Sequence, residues 1–285
     1  MSVDEDVRAG EATDSVTFAF GDAEAQLYGL ARIGRAADGQ GSALCLLFAG
    51  RDPVAAVARG GEPVGGDGSW REAEVAGLRA TVDAPHARWS VRFDAEDGQG
   101  FALEFAALGE PVASEPGLGG MAGYEQPCQV TGTVRAAGRE KTIAALGQRG
   151  RAWGDPDWDR IELARTVGAW TDVACATLTA VRPAGASNHA EEATWAAYWE
   201  PEGVLEIEDG RLSTTYDGEG RMRRAGLELW PADEESWARR AAGEVLCGSS
   251  LDLGALRLDC AFFRWHLEGR TGVGRYDILR RAVAA

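Results

Sequence analysis

The stretch Trp89-Ser90-Val91-Arg92-Phe93-Asp94 decides the fold class of this chain. Large apolar side chains alternate in it with polar ones, which is the period of a β-strand that buries one face and exposes the other. The alternation recurs along both halves of the sequence, so we predict a mainly β fold of antiparallel strands. It is repeated at Val16, Phe18 and Phe20; at Phe101, Leu103 and Phe105; at Cys128, Val130 and Val134; at Leu205 and Ile207; at Leu227 and Leu229; and at Leu256, Leu258, Cys260 and Phe262.

Turn-forming pairs separate these segments. In an Asp-Gly pair the glycine accepts a positive φ and the aspartate bonds its own backbone, so such pairs predict tight turns between strands. Many short strands joined in this way indicate a barrel or a sandwich. The pairs are Asp38-Gly39, Asp97-Gly98, Asp209-Gly210 and Asp217-Gly218.

Three segments depart from the strand pattern. Gly60 to Gly68 is glycine-rich and predicts a long loop, and Glu110 to Gly123, rich in Gly and Pro, predicts a second loop that serves as a lid or a linker. A helix is predicted from Asp233 to Ala242, because Pro231 precedes an acidic first turn and two arginines lie near the end.

The composition limits the classes of partner. A chain of 285 residues with 45% hydrophobic content suffices for one large β domain or for two of ordinary size. The net charge of -16 creates a negative field that repels phosphate backbones, so nucleic acid is not an expected partner. No apolar run is long enough to span a bilayer, and residues 1–14 lack the pattern of a signal peptide. We therefore expect no transmembrane segment and a cytoplasmic location.

Metals and cofactors are not predicted. The three histidines and five cysteines are scattered without metal-ligand spacing, so we expect no metal site and buried cysteine thiols. Gly117 to Ala122 matches the glycine pattern of dinucleotide-binding loops, but prolines flank it where a strand and a helix would be needed. No cofactor is therefore expected.

The run Gly147 to Arg160 (GQRGRAWGDPDWDR) is the densest cluster of chemically versatile side chains. It packs two tryptophans, three arginines and three aspartates into fourteen positions. One interpretation is structural: Arg149 and Arg151 pair with the aspartates while the tryptophans wedge between two sheets. The other is functional: an aromatic face and a fixed charge form the floor of a pocket for an apolar ligand.

This run, with Tyr124-Glu125-Gln126-Pro127 and Val130-Thr131-Gly132 upstream, resembles the family of AttH-like proteins and carotenoid hydratases of the hydroxyneurosporene synthase type. The family signature has the form G-x-R-D/G-H-S-W-G-x-R/P-D-W, and the segment from Trp265 to Gly274 resembles the closing strand. The resemblance implies two lipocalin-like antiparallel β-barrel domains in tandem. We place them at residues 12–146 and 147–285, with the signature 147–160 at the junction.

The resemblance also implies chemistry on hydrophobic molecules without a redox cofactor, since relatives hydrate alkenes or cyclise polyenes. Its tryptophan corresponds to Trp153, but its histidine position is Arg151 and its serine position is Ala152. An arginine stays charged and does not protonate an alkene, whereas it can stabilise an oxyanion or hold a ligand carbonyl or carboxylate. Alternatively, Arg151 only neutralises Asp155 or Asp157.

Two functions stay open at this point. The first is an enzyme, a cofactor-independent lyase, isomerase or cyclase that acts on a terpenoid, polyketide or acyl-type molecule. The second is a carrier or sensor that binds the same kind of ligand without reaction. The candidate catalytic residues are Arg151, Trp153, Asp155 and Asp157, and the candidate ligand-binding residues are Tyr124, Glu125, Gln126, Arg149, Trp158 and Trp170.

Overall fold

A computed structural model describes residues 7–8, 10–65, 69–115, 117, 119–233 and 235–282. The predicted fold class is confirmed: the described residues form β-strands, turns and a single 3-10 turn at His189–Glu191, without an α-helix. None of them forms a helix long and apolar enough to cross a lipid bilayer. All five cysteines are buried free thiols, as expected.

The chain divides into two compact units, which we call the first barrel and the second barrel. The first barrel includes Met121–Asp155 and most of the described chain before it, and the second continues from Pro156. The first sheet runs in the order β4-β3-β2-β1-β11-β10-β8-β7-β6-β5, with β9 paired to β10. Its strands are β1 (Thr13–Asp22), β2 (Leu27–Ala36), β3 (Gln40–Ala49), β4 (Asp52–Pro63), β5 (Glu72–Val75), β6 (Leu78–Ala84), β7 (Arg88–Asp94), β8 (Gly100–Ala107), β9 (Val112–Ser114), β10 (Met121–Ala136) and β11 (Arg139–Gly154).

The first barrel is closed by a short bridge between Gly65 and Glu74, which brings the end of the β4 segment to β5. Its strands alternate as the sequence predicts, with Trp89, Val91 and Phe93 buried and the residues between them exposed. Inward-facing apolar residues of all the long strands thus form one core.

The second sheet runs in the order β15-β14-β13-β12-β20-β19-β18-β17-β16. Gly210 on β16 faces inward, and a Cβ there would lie 2.8 Å from Leu178 and 3.2 Å from Ala196. The first and last parts of the sheet therefore pack directly on each other at a position that only glycine fits. The strands are β12 (Ile161–Trp170), β13 (Cys175–Pro183), β14 (Ala193–Glu200), β15 (Gly203–Leu205), β16 (Ile207–Tyr216), β17 (Met222–Pro231), β18 (Arg239–Leu253), β19 (Leu256–Leu267) and β20 (Arg270–Arg281).

The predicted helix at Asp233 to Ala242 is wrong. The backbone amide of Ser236 donates to the Asp233 carbonyl and that of Glu235 donates to the Asp233 carboxylate, so these residues form a turn. Strand β18 then begins at Arg239. Ala241 and Gly243 pair with residues of the neighbouring strand β19, and the Ala241 side chain is buried in the core. Strand pairing on both sides of β18 overrides the local helix signals, which are worth little without tertiary contacts.

Two other local predictions are also corrected. The Asp209-Gly210 pair lies inside β16 instead of forming a turn, because Gly210 is needed for close packing; the other three Asp-Gly pairs are turns. The predicted loops are partly strand: Gly60–Pro63 belongs to β4, while Val112–Ser114 and Met121–Gly123 pair in the first sheet. Residues 66–68, 116 and 118 of these loops lie outside the described residues.

Strand β11 also bears on the division of the chain. It runs without interruption to Gly154, paired with β1 and β10. The division between units therefore falls after Asp155, whereas the sequence pattern predicts it after residue 146. Most of the signature run belongs to the first barrel because its glycines and charges are part of a strand.

Candidate functional site

The candidate site lies at one end of the first barrel, which we call the polar end. The start of β1, the start of β10, the end of β11 and the β6–β7 turn meet there. Arg151 on β11 stands opposite Val16 of β1 and Tyr124 of β10, so the three side chains lie on the inward face. Arg149 and Gln126 face each other on the same side.

A buried ion pair anchors the polar end. Arg151 donates from Nε to Asp14 Oδ1 at 3.1 Å and from Nη2 to Asp14 Oδ2 at 2.8 Å, and the two side chains are 1% and 3% exposed. Asp14 Oδ2 also accepts from Trp70 Nε1 at 3.0 Å and from the Arg8 backbone amide at 2.9 Å. Such a fully bonded bidentate pair fixes both side chains in place. Its carboxylate comes from β1, 137 residues from Arg151, and not from the signature run.

Trp153 extends the site toward solvent. Its half-buried ring is covered by the guanidinium of Arg8, 4.5 Å from the ring centroid, and by that of Arg151 at 5.5 Å. Tyr124 meets the same ring edge-on, with 6.4 Å between centroids. The cations hold the aromatic face in one orientation through cation–π attraction.

A second network joins Arg149, Gln126 and His86. Arg149 Nε donates to Gln126 Oε1 at 2.7 Å, and Gln126 Nε2 donates to the backbone carbonyls of His86 at 2.8 Å and Gly109 at 2.7 Å. Arg149 Nη2 lies 3.5 Å from His86 Nδ1. Because an arginine only donates, this contact makes Nδ1 the acceptor and puts the ring proton on Nε2.

His86 has features of a functional residue. It is half-buried in the β6–β7 turn, its φ is 56°, and its ring meets Tyr124 edge-on with 5.7 Å between centroids. A non-glycine residue enters this left-handed region at an energetic cost, and such conformations cluster at functional sites. An imidazole can also exchange protons under conditions in which an arginine cannot.

Below this end the interior of the first barrel is filled with aromatic rings. Phe18 packs on Trp89 and Phe105 with centroid distances of 5.4 Å and 5.1 Å, and the guanidinium of Arg149 lies 5.2 Å from the centroid of Trp89. A ligand in the middle of the barrel would have to displace these rings. Binding inside this barrel is thereby confined to the polar end.

The structure brings together five of the ten candidate site residues: Tyr124, Gln126, Arg149, Arg151 and Trp153. Glu125 lies on the outer face, where its carboxylate accepts from Gln148 Nε2 at 2.6 Å. Asp155 and Asp157 are exposed, so they lack the burial that a proton-donor role requires. Trp158 is half-buried in a turn, Trp170 is buried, and both belong to the second unit.

Sequence reasoning missed Asp14, Trp70 and His86. The spacing of the histidines bears only on metal binding, and the contact of His86 with Arg149 crosses 63 residues of sequence. The signals were weak: a Pro-His pair between two predicted strands, and an aspartate ahead of the first strand. No group of three or more His, Cys, Asp or Glu side chains within the described chain is arranged to hold a metal ion.

Solved structures with the same fold confirm the resemblance to AttH-like proteins. CghA with Sch210972 gives a TM-score of 0.67 at 13% identity, over 96% of this chain and 90% of that one. An AttH protein (NE1406) from Nitrosomonas europaea gives 0.67 at 14%, over 95% and 93%. Kievitone hydratase from Nectria haematococca gives 0.65 at 10%, over 95% and 89%.

At these identities the likeness establishes a shared lipocalin-like fold and nothing finer. No curated protein matches the chain by sequence. The family model described as a domain of unknown function, DUF7064, matches residues 6–282. The match spans nearly the whole chain, and the protein therefore belongs to the DUF7064 family.

Proposed function

We propose that the polar end of the first barrel binds an apolar small molecule through an oxygen-bearing group and converts it by proton transfer without a resident cofactor. The reaction class is that of a lyase, isomerase or cyclase. The observation that carries the proposal is the placement of His86 beside the buried cation Arg149 and the aromatic rings of Tyr124 and Trp153.

The two groups divide the chemistry between them. Arg149 supplies a fixed positive charge that stabilises negative charge developing on a ligand carbonyl or carboxylate oxygen. The neutral imidazole of His86 gives its Nε2 proton to that oxygen, and the positive charge of Arg149 beside Nδ1 stabilises the deprotonated ring. Nε2 takes the proton back when the intermediate forms product. Gln126 holds both, because it bonds the side chain of Arg149 and the backbone of His86.

Arg151 and Trp153 have supporting roles in this proposal. Arg151 is occupied by Asp14, so it acts by fixing the Trp153 ring that forms one wall for the apolar part of the ligand. Fold-level analogy supports the reaction class, since one structural neighbour is a hydratase by name.

A non-catalytic carrier is the second candidate, and one observation favours it. The position of the signature histidine holds an arginine that is locked in an ion pair, so the known route of the hydratases is closed. A carrier needs the cation and the aromatic walls but not the proton exchange of His86.

Binding is tested with anilinonaphthalene sulfonate, a fluorescent apolar molecule with one anionic group. Arg149→Met is expected to weaken dye binding about tenfold, because a charge-assisted contact is lost while side-chain volume is kept. The control is Arg92→Met, which removes the same charge from an exposed outer position. Equal losses in both variants, or none in Arg149→Met, would reject the proposed site.

Turnover is tested with the compound that the protein carries when it is purified from its own host. Native mass spectrometry of the full chain from its own host is expected to reveal a bound apolar compound, which is then offered to wild type and to His86→Gln. The enzyme proposal expects conversion by wild type only, with binding retained in the variant. A compound that both proteins return unchanged supports the carrier.

A further inference from the structure

The interior of the second barrel contains a buried charge cluster that the proposed function does not use. Arg165 on β12 faces inward beside Ala180 and Ile278, and its side chain is 1% exposed. Glu192, which follows the 3-10 turn between β13 and β14, is 3% exposed and accepts from Arg165 Nη2. Arg182 Nε donates to the same carboxylate at 2.8 Å. The single carboxylate of Glu192 thus accepts hydrogen bonds from two guanidinium groups.

The other buried carboxylates nearby are engaged elsewhere. Asp259 accepts from Arg257 Nε at 3.0 Å and from Arg280 Nη2 at 2.6 Å, so it has its own pair of cations. Asp277 lies on the opposite face of β20 from Ile278, with its carboxylate 3.4 Å from Arg275 Nη1. Neither group is placed to neutralise Arg165.

A row of aromatic side chains leads from Arg165 along the interior. Trp265 stacks on Phe263 with 5.6 Å between centroids, and Phe263 packs on Tyr276, also at 5.6 Å. The Tyr276 hydroxyl is hydrogen-bonded to Arg165 and lies 2.6 Å from Thr214 Oγ1. Burial raises the pKa of Tyr276 to about 12, so its hydroxyl keeps the proton at neutral pH.

Both ends of this row carry a buried donor that is not satisfied. Arg165 Nε and Trp265 Nε1 have no hydrogen-bond partner among the described residues. Buried polar groups almost always have a partner, so two such donors in one interior call for an occupant with matching acceptors. Small side chains lie among the larger aliphatic ones in the rest of this core, namely Ala169, Ala174, Ala176, Ala180, Ala225, Ala241 and Ala261.

We propose that the second barrel binds an elongated apolar molecule that carries one carboxylate. The carboxylate accepts from Arg165 Nε, the chain lies along Tyr276 and Phe263, and an oxygen further along it accepts from Trp265 Nε1. Ile278 of β20 pairs with both Arg165 of β12 and Asp259 of β19, so Arg165 and Asp259 lie at the same height in the barrel. Trp265 is six residues further along β19. At about 3.3 Å per residue the row spans about 20 Å, which suits a chain rather than a compact ring system.

Calorimetric titration of the full chain with dodecanoate and dodecanol tests this proposal, because the two probes differ only in the carboxylate. Wild type is expected to bind dodecanoate more tightly. Arg165→Met is expected to weaken dodecanoate binding about tenfold or more and to leave dodecanol binding unchanged. Dodecanoate binding that is absent in wild type, or equal in the variant, overturns the proposal.

Arg149→Met separates this site from the one in the first barrel. Arg149→Met weakens any binding at the polar end, and we expect a dodecanoate site to remain in this variant that is lost when Arg165→Met is added. A loss in Arg149→Met without a loss in Arg165→Met assigns the probe to the polar end of the first barrel, and so overturns the present proposal while leaving the proposed function intact.

A second substitution guards against misfolding of Arg165→Met. Ala261→Leu leaves every charge in place but adds volume beside Tyr276, its partner across β19 and β20. It is expected to abolish binding of both dodecanoate and dodecanol while the circular dichroism of the β-sheets is unchanged. Retained binding of either probe by folded Ala261→Leu also overturns the proposal.

Discussion

The two barrels share a meandering antiparallel topology but differ in what fills them. Large aromatic rings occupy the core of the first barrel, and its charges gather at the polar end around Asp14 and Arg151. Alanines line much of the core of the second, and the buried cation Arg165 faces its interior. The difference teaches that strand pattern sets the fold, while the residues at inward positions decide where each barrel places its aromatic rings and its buried charges.

The largest expected effect concerns the ion pair of the first barrel. Asp14→Ala leaves Arg151 as a buried charge without its carboxylate, so we expect the free energy of unfolding to fall by about 3–5 kcal/mol. Urea denaturation followed by tryptophan fluorescence measures it. The double variant Asp14→Leu/Arg151→Met is expected to recover most of the loss, because both charges of the pair are then removed. A loss below about 1 kcal/mol in the single variant would show that the polar end is open to water.

Matched enlargements test the contrast in packing directly. Ala80 and Ala176 are both buried core residues, one in each barrel. Ala80→Leu is expected to destabilise the first barrel by about 1–3 kcal/mol through overpacking. Ala176→Leu is expected to cost less, because Ala169 is its partner on β12 and Ala174 precedes it on the same face, although Tyr198 is its partner on β14. Thermal unfolding measures the loss of stability in each variant. Equal losses would show that the two cores are packed equally tightly.

The decrease of the unfolding free energy at low pH gives a third test. Burial alone would raise the pKa of Asp259, but hydrogen bonds from Ser250 and Arg257 and the charge of Arg280 outweigh it and lower the pKa below 3.8. A lowered carboxyl pKa contributes stability above its unfolded value that is lost as pH falls through the folded value. Asp259→Asn is therefore expected to cost about 1–2 kcal/mol at neutral pH and to converge with wild type in strong acid. A pH-independent difference would contradict this.

The smallest effect is expected on the outer surface of the first barrel. Arg79 and Glu72 form an ion pair in which both side chains are about half exposed. Arg79→Ala is expected to change the unfolding free energy by less than about 1 kcal/mol, since solvent and salt screen such pairs. A change as large as that of Asp14→Ala would mean that burial does not govern the strength of ion pairs in this barrel.

Strand periodicity explains which residues of the predicted site lie together in the structure. Tyr124 and Gln126, and Arg149, Arg151 and Trp153, are spaced by two on paired strands, which brings their side chains to one face. Asp155 and Asp157 come after the end of β11, so they are close to Trp153 in sequence but do not lie inside the barrel with it. His86 lies in the β6–β7 turn and Asp14 on β1, far from β11 in sequence, so their contacts depend on how the sheet closes.

The sequence by itself determined the fold class, the inward and outward faces of the strands, the buried thiols and the resemblance to lipocalin-like AttH proteins. These properties follow from local alternation and composition, which act residue by residue. Only the tertiary structure decided the strand at Arg239, the closure at Gly210, the pairing of Arg151 with Asp14 and the placement of Arg165 inside the second barrel. Each of these depends on contacts between segments far apart in sequence, and a linear pattern does not specify which segments meet.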